Sequence, residues 1–155
     1  MKVRHNISDF VFRHDLPCEP HVYDAILHYH LIPIQKVENQ LDCKVVPTLV
    51  GSRGGGGSVY RHPRHEREQG RSETGEHTFK DKKGAGDYSV TDFKQFHRFG
   101  ELLTRQDFTR FFFYHENHFV HVDYRNVEYR QFFVFDGAWK LVEREQFLQK
   151  IKNNY

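Results

Sequence analysis

Charge of one sign is the first thing this sequence lacks. Its 155 residues carry 23 Lys and Arg against 21 Asp and Glu, a net of +2. A dedicated nucleic-acid binder carries a clustered basic excess, so nucleic acid is not an expected partner. Long apolar runs are missing too. Hydrophobic residues make up 37%, and no stretch approaches the ~20 apolar residues of a spanning helix. No membrane association is expected. The opening MKVRHNISDF contains no apolar core of a signal peptide, so synthesis in the cytoplasm is the expectation. Cysteine is scarce: Cys18 and Cys43 are too few and too isolated for a disulfide framework or a thiolate zinc site. No internal repeat is visible. The length suits one domain, 1–155, with a core that stands without staples.

What the chain has in quantity is aromatic residues (15 Phe, 8 Tyr) and 12 histidines, and the histidines raise the question of a metal. Pro20 suits the first turn of a helix carrying Val22, Ile26 and Tyr29, and Pro33 suits a restart as a second helix with Ile34, Val37 and Leu41 on one face. Lys44 to Val50 reads as a strand that Pro47 pushes toward an edge. A glycine-rich and polar segment follows, about residues 51–84, and reads as a long loop. Between Arg61 and Gly86 it holds 7 basic and 5 acidic residues, so it is no basic arm.

Ala85 to Val90 is a strand candidate, and Thr91 is placed to cap a helix with Phe93, Phe96 and Leu103. Three aromatic and β-branched runs, Thr109–Tyr114, His118–Tyr124 and Tyr129–Phe135, resemble an antiparallel meander. Asp136-Gly137 signals a tight turn, and a C-terminal helix carries Phe147, Leu148 and Ile151. The class expected is α+β, a central antiparallel sheet flanked by helices.

Three constellations could carry chemistry. In His118-Phe-Val-His121-Val-Asp123, strand alternation puts His121 and Asp123 on one face and His118 on the other, unless the strand bends or begins there. In Glu76-His77-Thr78-Phe79 followed by Gly84-Ala85-Gly86-Asp87, a histidine and an aspartate can come from adjacent backbone segments. Imidazole and carboxylate suit Zn²⁺, and a catalytic site takes three protein ligands plus water, a set that His77, Asp87 and His121 would make. In Ser58-Val-Tyr-Arg61, a fixed guanidinium near a metal could bind a carboxylate or an oxyanion. Each segment alone also reads as ordinary polar surface.

In this order, Ser58-Val-Tyr-Arg61, Glu76-His77-Thr78-Phe79, Gly84-Ala85-Gly86-Asp87 and Phe119-Val120-His121-Val122-Asp123 resemble the zinc D-alanyl-D-alanine carboxypeptidase family. These are peptidoglycan peptidases that share the hedgehog-like fold. The spacing from His77 to Asp87 is longer than the family pattern, as if Lys80–Lys83 were inserted. The resemblance implies one Zn²⁺ per chain held by His77, Asp87 and His121, with Arg61, and Ser58 beside it, binding substrate. It assigns the general base to His118, with Glu116 the alternative, while Asp123 is expected to orient a ligand or a loop from behind. It implies a monomeric metallopeptidase acting on D-amino-acid-containing stems or cross-links of peptidoglycan, possibly phage-encoded and released at lysis or carried in a virion. An inactive zinc-containing recognition or virion module of the same fold is the alternative. An iron-oxygenase reading of His121-Val-Asp123 fails because it needs a later histidine and His121 is the last. A nuclease reading of His115-Glu-Asn-His118 lacks a following helix with another ligand.

Overall fold

The computed structural model describes residues 5–12, 18–48, 58–80 and 82–155; Gly51–Gly57, named above as glycine-rich, lies outside them. In chain order the elements are β1 (Val11–Phe12), α1 (Pro20–Ile26), α2 (Ile32–Glu38), β2 (Val45–Pro47), β3 (Tyr60–Arg61) and α3 (Pro63–Glu68). They continue with β4 (Ala85–Val90), α4 (Phe96–Leu103), β5 (Arg110–Tyr114), β6 (Phe119–Asp123), β7 (Gln131–Phe135), β8 (Trp139–Val142) and α5 (Arg144–Asn154). Six strands form one sheet in the order β2-β4-β6-β5-β7-β8, and β1 pairs with β3 in a small parallel ribbon. The class is α+β, as expected. No helix among the described residues is long and apolar enough to cross a membrane.

The sheet is mixed rather than antiparallel. β5 pairs antiparallel with β6 but parallel with β7, so the three aromatic runs do not form a meander. The reason is occupancy: β6 already has β4 on its other edge, and β7 must cross to the free edge of β5. Arg130 fixes that crossing by donating to the carbonyls of Phe108, Thr104 and Gln106. The Asp136-Gly137 turn leads into β8, a strand the sequence reading missed, in antiparallel register with β7.

Strand alternation sorts the sheet into two faces. Phe111, Phe113, Val120, Val122, Phe132 and Val134 are buried with residues of α1, α2, α4 and α5 in one core. The opposite face, bearing Asp87, Phe112, Tyr114, His121, Phe133 and Trp139, is partly open.

Two helical expectations change. Pro33 does not restart the chain: α1 passes through a π-turn (Leu27–Leu31) directly into α2. A π-turn is a known way to absorb a residue that cannot continue the i→i−4 ladder. Pro33 has no N–H for the carbonyl of Tyr29, and that carbonyl accepts the Tyr124 hydroxyl instead, at 2.8 Å. Helix α4 is entered through a 3-10 turn (Phe93–Gln95) capped by Asp92, not Thr91; Thr91 accepts a bond from the backbone of Lys44. The described part of the polar segment, 58–80 and 82–84, is likewise no plain loop. His62 caps α3 with Pro63 at its first position, and a further 3-10 turn spans Glu76–Thr78.

His30, buried inside the π-turn, anchors the start of β4. Burial pushes its pKa down to about 3, so it is neutral. One ring nitrogen donates to the Lys83 carbonyl (2.9 Å), and the other accepts from the Tyr88 hydroxyl (2.8 Å). Tyr88 can reach His30 because Gly86 has no side chain; a Cβ there would lie 2.4 Å from the Tyr88 ring. Gly84 has a φ of +74°, and its Cβ would meet the Phe79 ring at 2.3 Å. The motif glycines therefore seat β4.

Because Tyr124 supplies the hydrogen that Pro33 cannot, Tyr124→Phe should lower stability by about 1–3 kcal/mol. Urea unfolding with an unchanged m-value measures this; an unchanged midpoint would contradict it.

Candidate metal centre

Three segments converge on the open sheet face. In the β4–β6 ladder Asp87 is the direct register partner of His121, so their side chains rise together from neighbouring strands. His77 arrives from the Glu76–Thr78 turn. Ligand atoms of His77, Asp87 and His121 all lie within 4.8 Å of one another. His121 Nδ1 is 2.7 Å from Asp87 Oδ1, and His77 Nε2 is 3.7 Å from the same oxygen.

The surrounding groups set the protonation of each donor. His77 Nδ1 lies 2.9 Å from the Val59 carbonyl, so it carries the hydrogen and leaves the Nε2 lone pair facing the cluster. Burial pushes His77 down to about 4, a neutral imidazole at neutral pH; Arg61 adds to the effect and Asp87 opposes it. His121 has carboxylates at both ring nitrogens, with Asp123 Oδ2 3.1 Å from Nε2. Burial alone would lower it, but the bonds to Asp123 and Asp87 win and lift it to about 9. Burial likewise pushes the Asp87 carboxyl up, and His77 and His121 reverse that and hold it ionised.

Asp123 is fully buried and forked to Arg110, with Arg110 Nε 2.9 Å from Oδ1 and Nη2 2.6 Å from Oδ2. The Arg125 backbone N–H adds a third donor. Arg110 and Arg125 both reach Glu76, the residue before His77. Asp123 thus holds the His121 ring from the side away from Asp87. Arg110 was missed there, although it sits directly across from Asp123 in the β5–β6 register. A cation opposite a carboxylate on one face was the available signal.

The donor set, two imidazoles and one carboxylate, suits a borderline cation such as zinc, and each imidazole is braced by a second group, His77 by the Val59 carbonyl and His121 by Asp123. The three residues would offer such an ion three ligand atoms.

The other expected residues divide. Arg61 lies close enough for its charge to act on both His77 and Asp87. Its Nε is 2.5 Å from Glu66, whose other oxygen takes Arg71 at 2.6 Å. Ser58 is buried and donates to the Thr48 carbonyl, so it ties the chain together and is not presented to a substrate. His118 is not brought to the cluster. It precedes β6 in a left-handed turn (φ +57°), with its ring stacked on Phe93 at 4.5 Å and Nδ1 2.6 Å from the Tyr155 hydroxyl. Strand parity puts it on the helix side, opposite His121. Glu116, with a side chain 84% exposed, sits in the turn after β5 and has no hydrogen bond to the cluster.

No family model, curated protein or solved structure matches this chain.

His121 donates from both nitrogens in the metal-free protein, so a cation at Nδ1 must displace a proton there. Calorimetric zinc titration at pH 7 in buffers of different ionisation heat should show about one proton released per zinc. Apparent affinity should rise about tenfold per pH unit below about pH 9, where protons compete for His121, and level off above it. Zinc binding without proton release would contradict this protonation state. Asp123→Asn should weaken zinc by about 10–100-fold, the usual cost of losing a bracing carboxylate.

Proposed function

We propose that this protein is a zinc-dependent metallopeptidase acting on D-amino-acid-containing peptide bonds of peptidoglycan. The observation that supports the reading is the meeting of His77, Asp87 and His121 on one sheet face, the three residues to which the resemblance gives the ion. His77, Asp87 and His121 would hold the ion, which when bound supplies an activated water at neutral pH and polarises the scissile carbonyl. Val59 and Asp123 fix which nitrogen of each histidine faces the ion. Arg61, pinned by Glu66, presents a cation beside the cluster for a substrate carboxylate or a developing oxyanion.

One observation favours a second reading, a zinc-containing recognition module without hydrolytic activity. Neither residue assigned as general base stands at the cluster: His118 packs on the helix side, and Glu116 has no hydrogen bond to it. Hydrolysis needs a group within hydrogen-bond reach of the proton that moves. Release of peptides from purified cell wall by the zinc-loaded protein separates the two readings.

If the peptidase reading holds, Arg61→Ala should keep its zinc and lose about 10²–10³ in rate. The fold should survive, because Arg71 still pairs with the buried Glu66. His118→Ala should leave the rate of wall hydrolysis unchanged and lower only stability. Full activity in Arg61→Ala, measured beside zinc content, would remove Arg61 from the mechanism.

A further inference from the structure

The face that carries the metal cluster continues into a row of rings on β5, β6, β7 and β8. Phe112 stacks on Phe133 at 4.3 Å, and Tyr114 stacks on Phe119 at 4.4 Å. Trp139 stands across this row. Its ring is edge-on to Phe112 (5.3 Å, 87°), Tyr114 (4.8 Å, 66°) and Phe135 (5.4 Å, 69°), and the residue is 37% exposed. Tyr114, Phe135 and Trp139 thereby form a corner, and His115, Glu116 and Asn117 close its rim around a cavity of about 190 Å³.

We propose that this corner is a saccharide subsite that seats one pyranose ring. Three features point to that chemistry. The hollow is small and open to solvent on one side, which suits a single six-membered ring with its substituents. The walls are aromatic faces, the natural partners of a sugar's C–H face. The rim supplies a carboxylate, an amide and an imidazole, planar groups that hydrogen-bond pairs of hydroxyls. A lipid chain or an apolar helix would make no use of the polar rim of His115, Glu116 and Asn117.

The corner is also continuous with the metal cluster, because Phe112 touches both Trp139 and His121, the latter at 5.5 Å between ring centres. A sugar held at Trp139 thus places a peptide substituent along Phe112 toward His121. Naming the larger ligand as a glycan strand rests on the peptidoglycan reading above, whereas the pyranose chemistry rests on the corner itself. On this assignment Glu116 binds substrate.

Trp139 is the chain's single tryptophan and reports directly on its own surroundings. The test is a fluorescence titration of the wild-type protein with a β-1,4-linked N-acetylglucosamine tetramer, beside a stem peptide that carries no sugar. A saturable change with the saccharide and none with the peptide is expected. Glu116→Ala, at an exposed position, should weaken saccharide binding about tenfold or more, the scale of one hydrogen bond to a charged group. No response to the saccharide, or a response to the peptide alone, would overturn the proposal. So would a fluorescence change that follows protein concentration instead, which would assign the corner to self-association. Saccharide binding without any wall hydrolysis would sink the peptidase reading and leave the corner standing. Wall hydrolysis without saccharide binding would do the reverse.

Discussion

The register between β4 and β6 is the constraint on which the site depends. It sets Asp87 directly opposite His121 and Ala85 opposite Asp123, so two donors and a bracing carboxylate emerge on one face. A slip by one residue would turn His121 and Asp123 into the apolar core and bring Val120 and Val122 out. The core resists that slip because Val120 and Val122 are completely buried on the helix side. Gly84 and Gly86 belong to the same constraint. They allow Phe79 and Tyr88 to pack closely against β4, and Tyr88 in turn is held by His30 from the π-turn.

Electrostatics then distinguishes the two histidines. His77 faces a backbone carbonyl on one side and is kept neutral by burial, so its Nε2 presents a lone pair to the cluster. His121 lies between two carboxylates and is itself a cation at neutral pH. The cluster is therefore neutralised internally, with the His121 imidazolium balancing Asp87. His121 and then Arg110 hold Asp123 ionised against its burial, which is why a fully buried carboxylate can stand there.

The sequence made legible those features that depend on short-range pattern. The six-residue strand Ala85–Val90, the C-terminal helix with Phe147, Leu148 and Ile151, and the sharing of a face by His121 and Asp123 all follow from local periodicity. So does the opposite placement of His118, since alternation already put it across the strand. Features set by competition between distant segments were not legible. The parallel β5–β7 pair arises because β4 had taken the edge that a meander would use. The fusion of two helices through a π-turn at Pro33 depends on Tyr124, 91 positions later in the sequence. Arg110 was missed because its role needs the β5–β6 register, and Ser58 was misassigned because its burial needs the β2 neighbourhood. The assignment of His118 as base carried a family position onto a residue that this chain turns to its helices.

X-ray absorption at the zinc edge, on protein loaded with one equivalent, tests the central claim most directly. The account requires light-atom ligation at about 2.0–2.2 Å with the outer-shell scattering of two imidazoles, and loss of one imidazole in His77→Ala. A zinc–sulfur distance of about 2.3 Å, the mark of Cys18 or Cys43, would contradict it, as would a zinc environment without imidazole.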